Sequence, residues 1–184
     1  GGGRSVLKDG SCGSIGYGIA TAYAKEGANL VITGRNKQKL ADAKEELERL
    51  YNIEVLPVQA DVSAGADNET VVQHVIDETI AKFGRIDVLI NNAQASASGV
   101  AANEWGPDGI NANIICPLAW TAQLENFQQA YPEAFEANVK MPPAGHYGDV
   151  EKEIGRVCVQ LASPDFKYMN GETLTLEGGM GLRP

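Results

Sequence analysis

Gly10-Ser11-Cys12-Gly13-Ser14-Ile15-Gly16-Tyr17-Gly18-Ile19-Ala20 sets four glycines among small side chains and then enters a helical pattern that lasts to Gly27. Glycines permit a tight turn and a close approach of backbone to ligand, and the first free N–H groups of a helix attract phosphate. Outward from this stretch, strand and helix patterns alternate. Leu30, Val31, Ile32 and Thr33 form a compact strand candidate that stops at Gly34. Asn36 is placed to cap the next helix, where Leu40, Ala43, Leu47 and Leu50 recur at three- and four-residue steps, a stripe that should face a sheet. Residues 53–60 supply another strand, left through Asp61-Val62-Ser63. Val72, Ile76, Ile80 and Phe83 mark an amphipathic helix closed by Gly84, and residues 86–90 read as a central parallel strand. Ile110, Ala112, Ile114 and Cys116 give a further strand ended by Pro117, Val150 to Ala162 a last helix with Ile154, Val157, Cys158 and Leu161 inward, and Thr173 to Leu176 a closing strand. Alternation of this kind belongs to α/β proteins rather than to segregated strands and helices.

The composition narrows the function classes. A chain of 184 residues with 43% hydrophobic content can bury one substantial core, so residues 1–184 are expected to form a single domain. The formal charge is −9 and the 15 basic residues are scattered, which leaves no footprint for nucleic acid. Cys12, Cys116 and Cys158 form no CxxC pair, arguing against a disulfide framework or a thiolate zinc site, and His74 and His146 are solitary, so no metal is expected. Cys116 and Cys158 fall on core patterns and are expected to be buried. No apolar run is long enough to span a membrane and no signal peptide is visible, so a cytoplasmic location is expected.

Two places break the alternation. From Ile90 to Ile110 the numbering advances by 20, whereas a full βαβ unit takes about 30 residues. Ala101 to Trp105 reads as only the last turn of a helix before Gly106-Pro107, so a block is expected to be missing between residues 100 and 101. At the start, only Val6 and Leu7 stand where an apolar first strand should feed the glycine stretch.

Several segments, in order, resemble the short-chain dehydrogenase/reductase family, classical branch. Gly10 and Gly16 match the outer glycines of the family's opening loop, with Ser14 where the middle glycine is expected. Ser14-Ile15 is also similar to the enoyl-carrier-protein reductase branch. Asp61-Val62 resembles the pair that contacts adenine, and Asn91-Asn92-Ala93-Gln94 the Asn-Asn-Ala-Gly motif of the cofactor cleft. The stretch from Gly109 to Leu118 resembles the late strand and its Pro-Gly exit near nicotinamide, with Leu118 for the usual glycine, and Tyr168 to Gly179 matches the C-terminal signature. The resemblance implies a Rossmann-like α/β fold, a doubly wound parallel sheet flanked by helices. It also implies cofactor contacts from Gly10, Ser14, Ile15, Gly16, Asp61, Val62, Asn92, Ala93 and Pro117. Thr121 resembles the residue that holds the nicotinamide carboxamide, and it equally fits the cap of the next helix. After strand two the chain has Arg35 rather than an acidic residue, which favours NADP, with NAD still possible; solvation of a helix start is the alternative role of Arg35.

Chemistry in this family needs a tyrosine with a lysine four residues on, and none of Tyr17, Tyr23, Tyr51, Tyr131, Tyr147 and Tyr168 has one. No catalytic residue is therefore assigned. The central catalytic segment is expected to be absent, and the residues as they stand to be inactive. Residues 117–143, with Trp120, Leu124, Phe127, Tyr131 and Phe135, occupy the place of the substrate lid or else form a helical pair packed on the core. The resemblance implies an NAD(P)-dependent oxidoreductase, reducing a small-molecule carbonyl with NADPH or oxidising the alcohol, in a homotetramer. Enoyl-thioester reduction, or an inactive dinucleotide-binding scaffold, are the alternatives.

Overall fold

The structure is a computed structural model and describes residues 14–61, 67–90 and 98–181. Chain contacts gather into two compact units, residues 23–94, and residues 1–22 with 95–184. Gly10, Val62, Asn92 and Ala93, the segment around Val6, and Cys12 lie outside the described residues.

In the unit of residues 23–94, β1 (Leu30–Gly34) and β2 (Val55–Gln59) pair in parallel from Leu30 opposite Val55 to Gly34 opposite Gln59. Between them runs α2 (Lys37–Tyr51), whose N-terminus is fixed by the Asn36 side chain accepting from the Lys39 amide at 3.0 Å. Leu40 and Leu47, two helical turns apart, bury the stripe predicted to face the strands, and Leu50 at its end is exposed. α2 also sets the register of β2. The Val55 amide donates to Glu48 Oε1 at 2.9 Å, while Lys44 donates to the Val55 carbonyl at 2.8 Å and pairs with Glu48. α3 (Asn68–Phe83) ends where Gly84 takes a positive φ of 76° and donates to the Ile80 carbonyl.

Two expectations in this unit are corrected. Residues 86–90 form no strand, and Ile86, Val88, Leu89 and Ile90 are exposed. A run of this composition becomes a strand only when a neighbour completes its hydrogen bonds, and among the described residues none pairs with it. Val72, Ile76 and Ile80 on α3 are likewise exposed.

In the other unit, α1 (Ile15–Lys25) packs against a π-helical segment, Val150–Gly155, that leads into α7 (Arg156–Leu161). The crossing is a glycine contact. A Cβ on Gly18 would stand 2.3 Å from the Val150 carbonyl oxygen, and one on Gly155 would stand 2.7 Å from the Gly18 oxygen. Ala22 faces Gly155 in the same contact, and both Ala22 and Ile154 are buried. β3 (Ile114–Pro117) pairs in parallel with β6 (Thr173–Leu176), and β4 (Ala119–Trp120) with β5 (Gly148–Asp149). β6 has the bounds read from sequence. β3 begins at Ile114 instead of Ile110, because the preceding residues bond to the 167–172 loop rather than to a strand. Asn111 donates to the Lys167 and Met169 carbonyls at 2.7 and 2.8 Å, Asn113 donates to Met169 at 2.9 Å, and Asn170 accepts from the Ala112 amide at 2.8 Å.

α4 (Ser98–Trp105) runs through residues 100 and 101 without interruption and ends in a short 3-10 turn at Gly106–Asp108. The expected break at that point is thus occupied by continuous helix. α5 (Ala122–Ala130) and α6 (Pro132–Asn138) form the helical pair that was one of two readings of residues 117–143. Phe127 stands 6.1 Å from Phe135 and 6.0 Å from Tyr131, and Trp120 meets Phe135 edge-on at 6.1 Å. With parallel strand pairs flanked by helices, the architecture is the Rossmann-like α/β fold expected.

Candidate functional site

The opening of α1 supplies one wall. Ser14 accepts from the Tyr17 amide at 3.3 Å, and its carbonyl takes the Gly18 amide at 3.0 Å, so Ser14 caps the helix that Ile15 and Gly16 begin. A serine at this place gives the N–H groups a partner that a glycine could not. Opposite, β3 ends at Pro117, and Leu118 continues the ladder by donating to Leu176 at 2.9 Å and accepting from Gly148 at 3.1 Å. Leu118, where the family has glycine, therefore has both of its backbone groups engaged.

Thr121 caps α5, its hydroxyl accepting from the Leu124 amide at 3.2 Å. The cap and the cofactor role are compatible, since a hydroxyl that accepts one bond still has its own hydrogen to donate. Ile15, Pro117 and Thr121 come together as the lining of one cleft of about 460 Å³. That volume lies in the range of small-molecule sites. Leu118, Leu124, Val139 and Met180 make its apolar surface, while Asn138, Lys140 and Tyr147 add polar groups. Sequence reading missed Lys140, Tyr147 and Met180. Met180 had a signal: Gly178 and Gly179, at positive φ of 59° and 85°, turn the chain after the C-terminal signature and deliver it to the cleft.

In the unit of residues 23–94, Arg35 and Asp61 follow the carboxyl ends of β1 and β2, which are joined there by the Ala60 amide donating to Gly34 at 3.0 Å. Ligands of open α/β sheets bind outside the carboxyl ends of strands. The Arg35 backbone carbonyl accepts from Gln59 Nε2 at 3.0 Å, and its exposed guanidinium enters no ion pair among the described residues.

Next to Tyr147 in the chain, His146 forms a pair with Glu153 that shifts the titration of both. His146 Nε2 lies 2.9 Å from Glu153 Oε1, and that hydrogen bond, helped by the Ala144 carbonyl, raises the imidazole above its ordinary range. The Asp149 amide, donating to Glu153 Oε2 at 2.7 Å, holds the carboxylate low, with His146 adding to it. Burial pushes the Cys158 thiol up to about 11, in keeping with a core role, whereas Cys116 is exposed and corrects the expectation of burial. Among the described residues no group of three or more His, Cys, Asp or Glu side chains could hold a metal ion, and no helix is long and apolar enough to cross a membrane.

Residues 5–103 match the family profile described as short chain dehydrogenase, and residues 93–181 match that described as enoyl-(acyl carrier protein) reductase. The chain is 50% identical, over 249 aligned positions, to a 12alpha-hydroxysteroid dehydrogenase of Clostridium sp., covering 97% of this chain and 96% of that protein. It is 38% identical to 11-beta-hydroxysteroid dehydrogenase A of Sesamum indicum over 50% of this chain, and that match spans 25% of the plant protein. Among solved structures, L-sorbose reductase from Gluconobacter frateurii, complexed with NADPH and L-sorbose, superposes with a TM-score of 0.79 at 20% identity, covering 95% of each chain. The two profile matches overlap at 93–103 and together span almost the whole chain, which overturns the expectation that the central catalytic segment is absent. The expectation of inactivity rested on that absence and loses its support with it. Roles inside the segment do not follow from a Tyr-x-x-x-Lys spacing, which the sequence lacks.

Proposed function

The chain belongs to the short-chain dehydrogenase family and is an NAD(P)-dependent oxidoreductase acting on a carbonyl compound or the corresponding alcohol; we propose that it works with NADPH on an apolar hydroxysteroid or its ketone. The observation that carries this reading is the cleft that gathers Ile15, Pro117 and Thr121 against an apolar surface of Leu118, Leu124, Val139 and Met180. A fused-ring substrate matches such a wall, because burying apolar surface is worth about 25 cal/mol per Å². The Clostridium relative's name points to the same substrate class.

Each unit, taken by itself, carries groups that suit part of a phosphorylated dinucleotide: residues 23–94 an arginine at the carboxyl end of β1 with no ion-pair partner among the described residues, and the other unit the opening of an 11-residue helix at Ser14, Ile15 and Gly16. When bound, the nicotinamide supplies the hydride. In this proposal Arg35 holds the extra phosphate and Asp61 with Val62 the adenine. Gly10, Asn92 and Ala93 line the cofactor cleft, Pro117 stands near the nicotinamide, and Thr121 donates its free hydroxyl hydrogen to the carboxamide. Residues 1–184 are taken as one functional domain, working in the cytoplasm as a homotetramer.

Enoyl-thioester reduction remains the second reading, favoured by the profile matched at 93–181 and by Ser14-Ile15. Spectrophotometric assay of NADPH oxidation separates the two. Turnover of an oxosteroid without turnover of an enoyl thioester is expected; the opposite pattern would replace the first reading by the second.

A further inference from the structure

Among the described residues that line the cleft, Lys140 alone is charged, in a chain whose formal charge is −9. An exposed lysine is ordinarily just a solvated side chain, but three features distinguish this one. It stands at a site walled by Leu118, Leu124, Val139 and Met180, and its ammonium enters no ion pair among the described residues. Its backbone is anchored, because the Tyr147 hydroxyl donates to the Lys140 carbonyl at 2.9 Å. Tyr147 is itself held, its ring meeting Trp120 edge-on at 6.0 Å. Lys140 therefore brings a cation from an anchored backbone to the lining of an apolar cleft, and a carboxylate or sulfate on the ligand would supply a partner that no described residue gives it.

We propose that Lys140 is a specificity-determining residue that selects apolar substrates carrying an anionic group remote from the reacting carbon, with Tyr147 positioning it. The proposal deepens the hydroxysteroid reading and rests on it for the apolar body of the substrate. It assigns Lys140 no part in hydride or proton transfer.

The test compares a hydroxysteroid bearing a side-chain carboxylate with its methyl ester, in the wild-type protein and in Lys140→Met. The ratio of the ester's KM to the acid's is expected to fall roughly fivefold in the variant, the upper range for a solvent-screened ion pair. Tyr147→Phe, which keeps the charge and loosens its anchor, should lower the ratio part of the way. An unchanged ratio in Lys140→Met would overturn the proposal. So would a comparable loss of NADPH affinity, because the cation would then serve a cofactor phosphate. If no hydroxysteroid is turned over, the substrate reading falls, and Lys140 is judged by equilibrium binding of the same two ligands followed through Trp120 fluorescence. Preference for the acid that disappears in Lys140→Met supports the assignment; no preference, or no binding of either, overturns it.

Discussion

In the proposed reading one exposed side chain, Arg35, carries the preference for the phosphorylated cofactor. It follows β1 directly and brings a planar, permanently charged fork to a strand end where an acidic residue would instead bond ribose hydroxyls. Arg35→Asp should invert the preference for NADPH over NADH by roughly tenfold or more, the value of one charge-assisted contact. Equilibrium titration with both cofactors checks this, and an equal loss for both would remove Arg35 from phosphate recognition. The pair His146 and Glu153 gives a second residue-level prediction. His146 is raised above 6.5, so its contribution to stability is complete below that value and fades as pH rises through the raised one. Glu153 is lowered from 4.5, so its contribution is present above 4.5 and fades as pH falls through the lowered value. The contact therefore acts fully between about pH 4.5 and 6.5. NMR titration should place His146 above 6.5 in the wild type and nearer to it in Glu153→Gln, where a neutral amide replaces the carboxylate; identical curves would show that the pair does not form in solution.

Among the elements, the contact of α1 with residues 150–155 has no slack, because the atoms facing Gly18 belong to backbone that cannot rotate away. Gly18→Ala should destabilise the protein by about 1–3 kcal/mol or more through overpacking, seen as a lower midpoint in urea unfolding. An unchanged midpoint would mean that the helix and the segment do not meet so closely. Sequence reading placed Gly18 beside the cofactor loop but had no means of seeing this role, since the contacting residues lie more than 130 positions away in the chain. Much else at this scale was legible. The cap at Asn36, the glycine stop at Gly84 and the bounds of β6 depend on local chemistry that a short window contains. β3 was read too long because Ala112 and Asn113 continue an alternating pattern, while the bonds of Asn111, Asn113 and Asn170 that end the strand join distant segments. Residues 86–90 were read as a strand from composition alone, which does not reveal whether a neighbour is there to pair.

For the whole molecule, exposed apolar side chains are numerous: Ile76, Ile80 and Leu89 in one unit, Trp105, Ile110 and Tyr168 in the other. Apolar surface of that kind favours association, and the proposed homotetramer is one assembly that would cover it. Light scattering behind size exclusion should give four times the subunit mass at neutral pH, and a monomer across the working concentration range would dismiss it. The site was only half legible. Ile15, Pro117 and Thr121, which line the cleft, sit in motifs a sequence displays, whereas Lys140 and Tyr147 reach the same cleft from a segment with no motif of its own. The activity itself is tested most directly by following the transferred hydrogen. Protein incubated with NADPH deuterated at the hydride-donating carbon and an oxosteroid should yield a hydroxysteroid that carries the deuterium on the former carbonyl carbon, read by mass spectrometry. A product without deuterium, or no product from a folded protein that binds NADPH, would contradict hydride transfer to a carbonyl as the function of this chain.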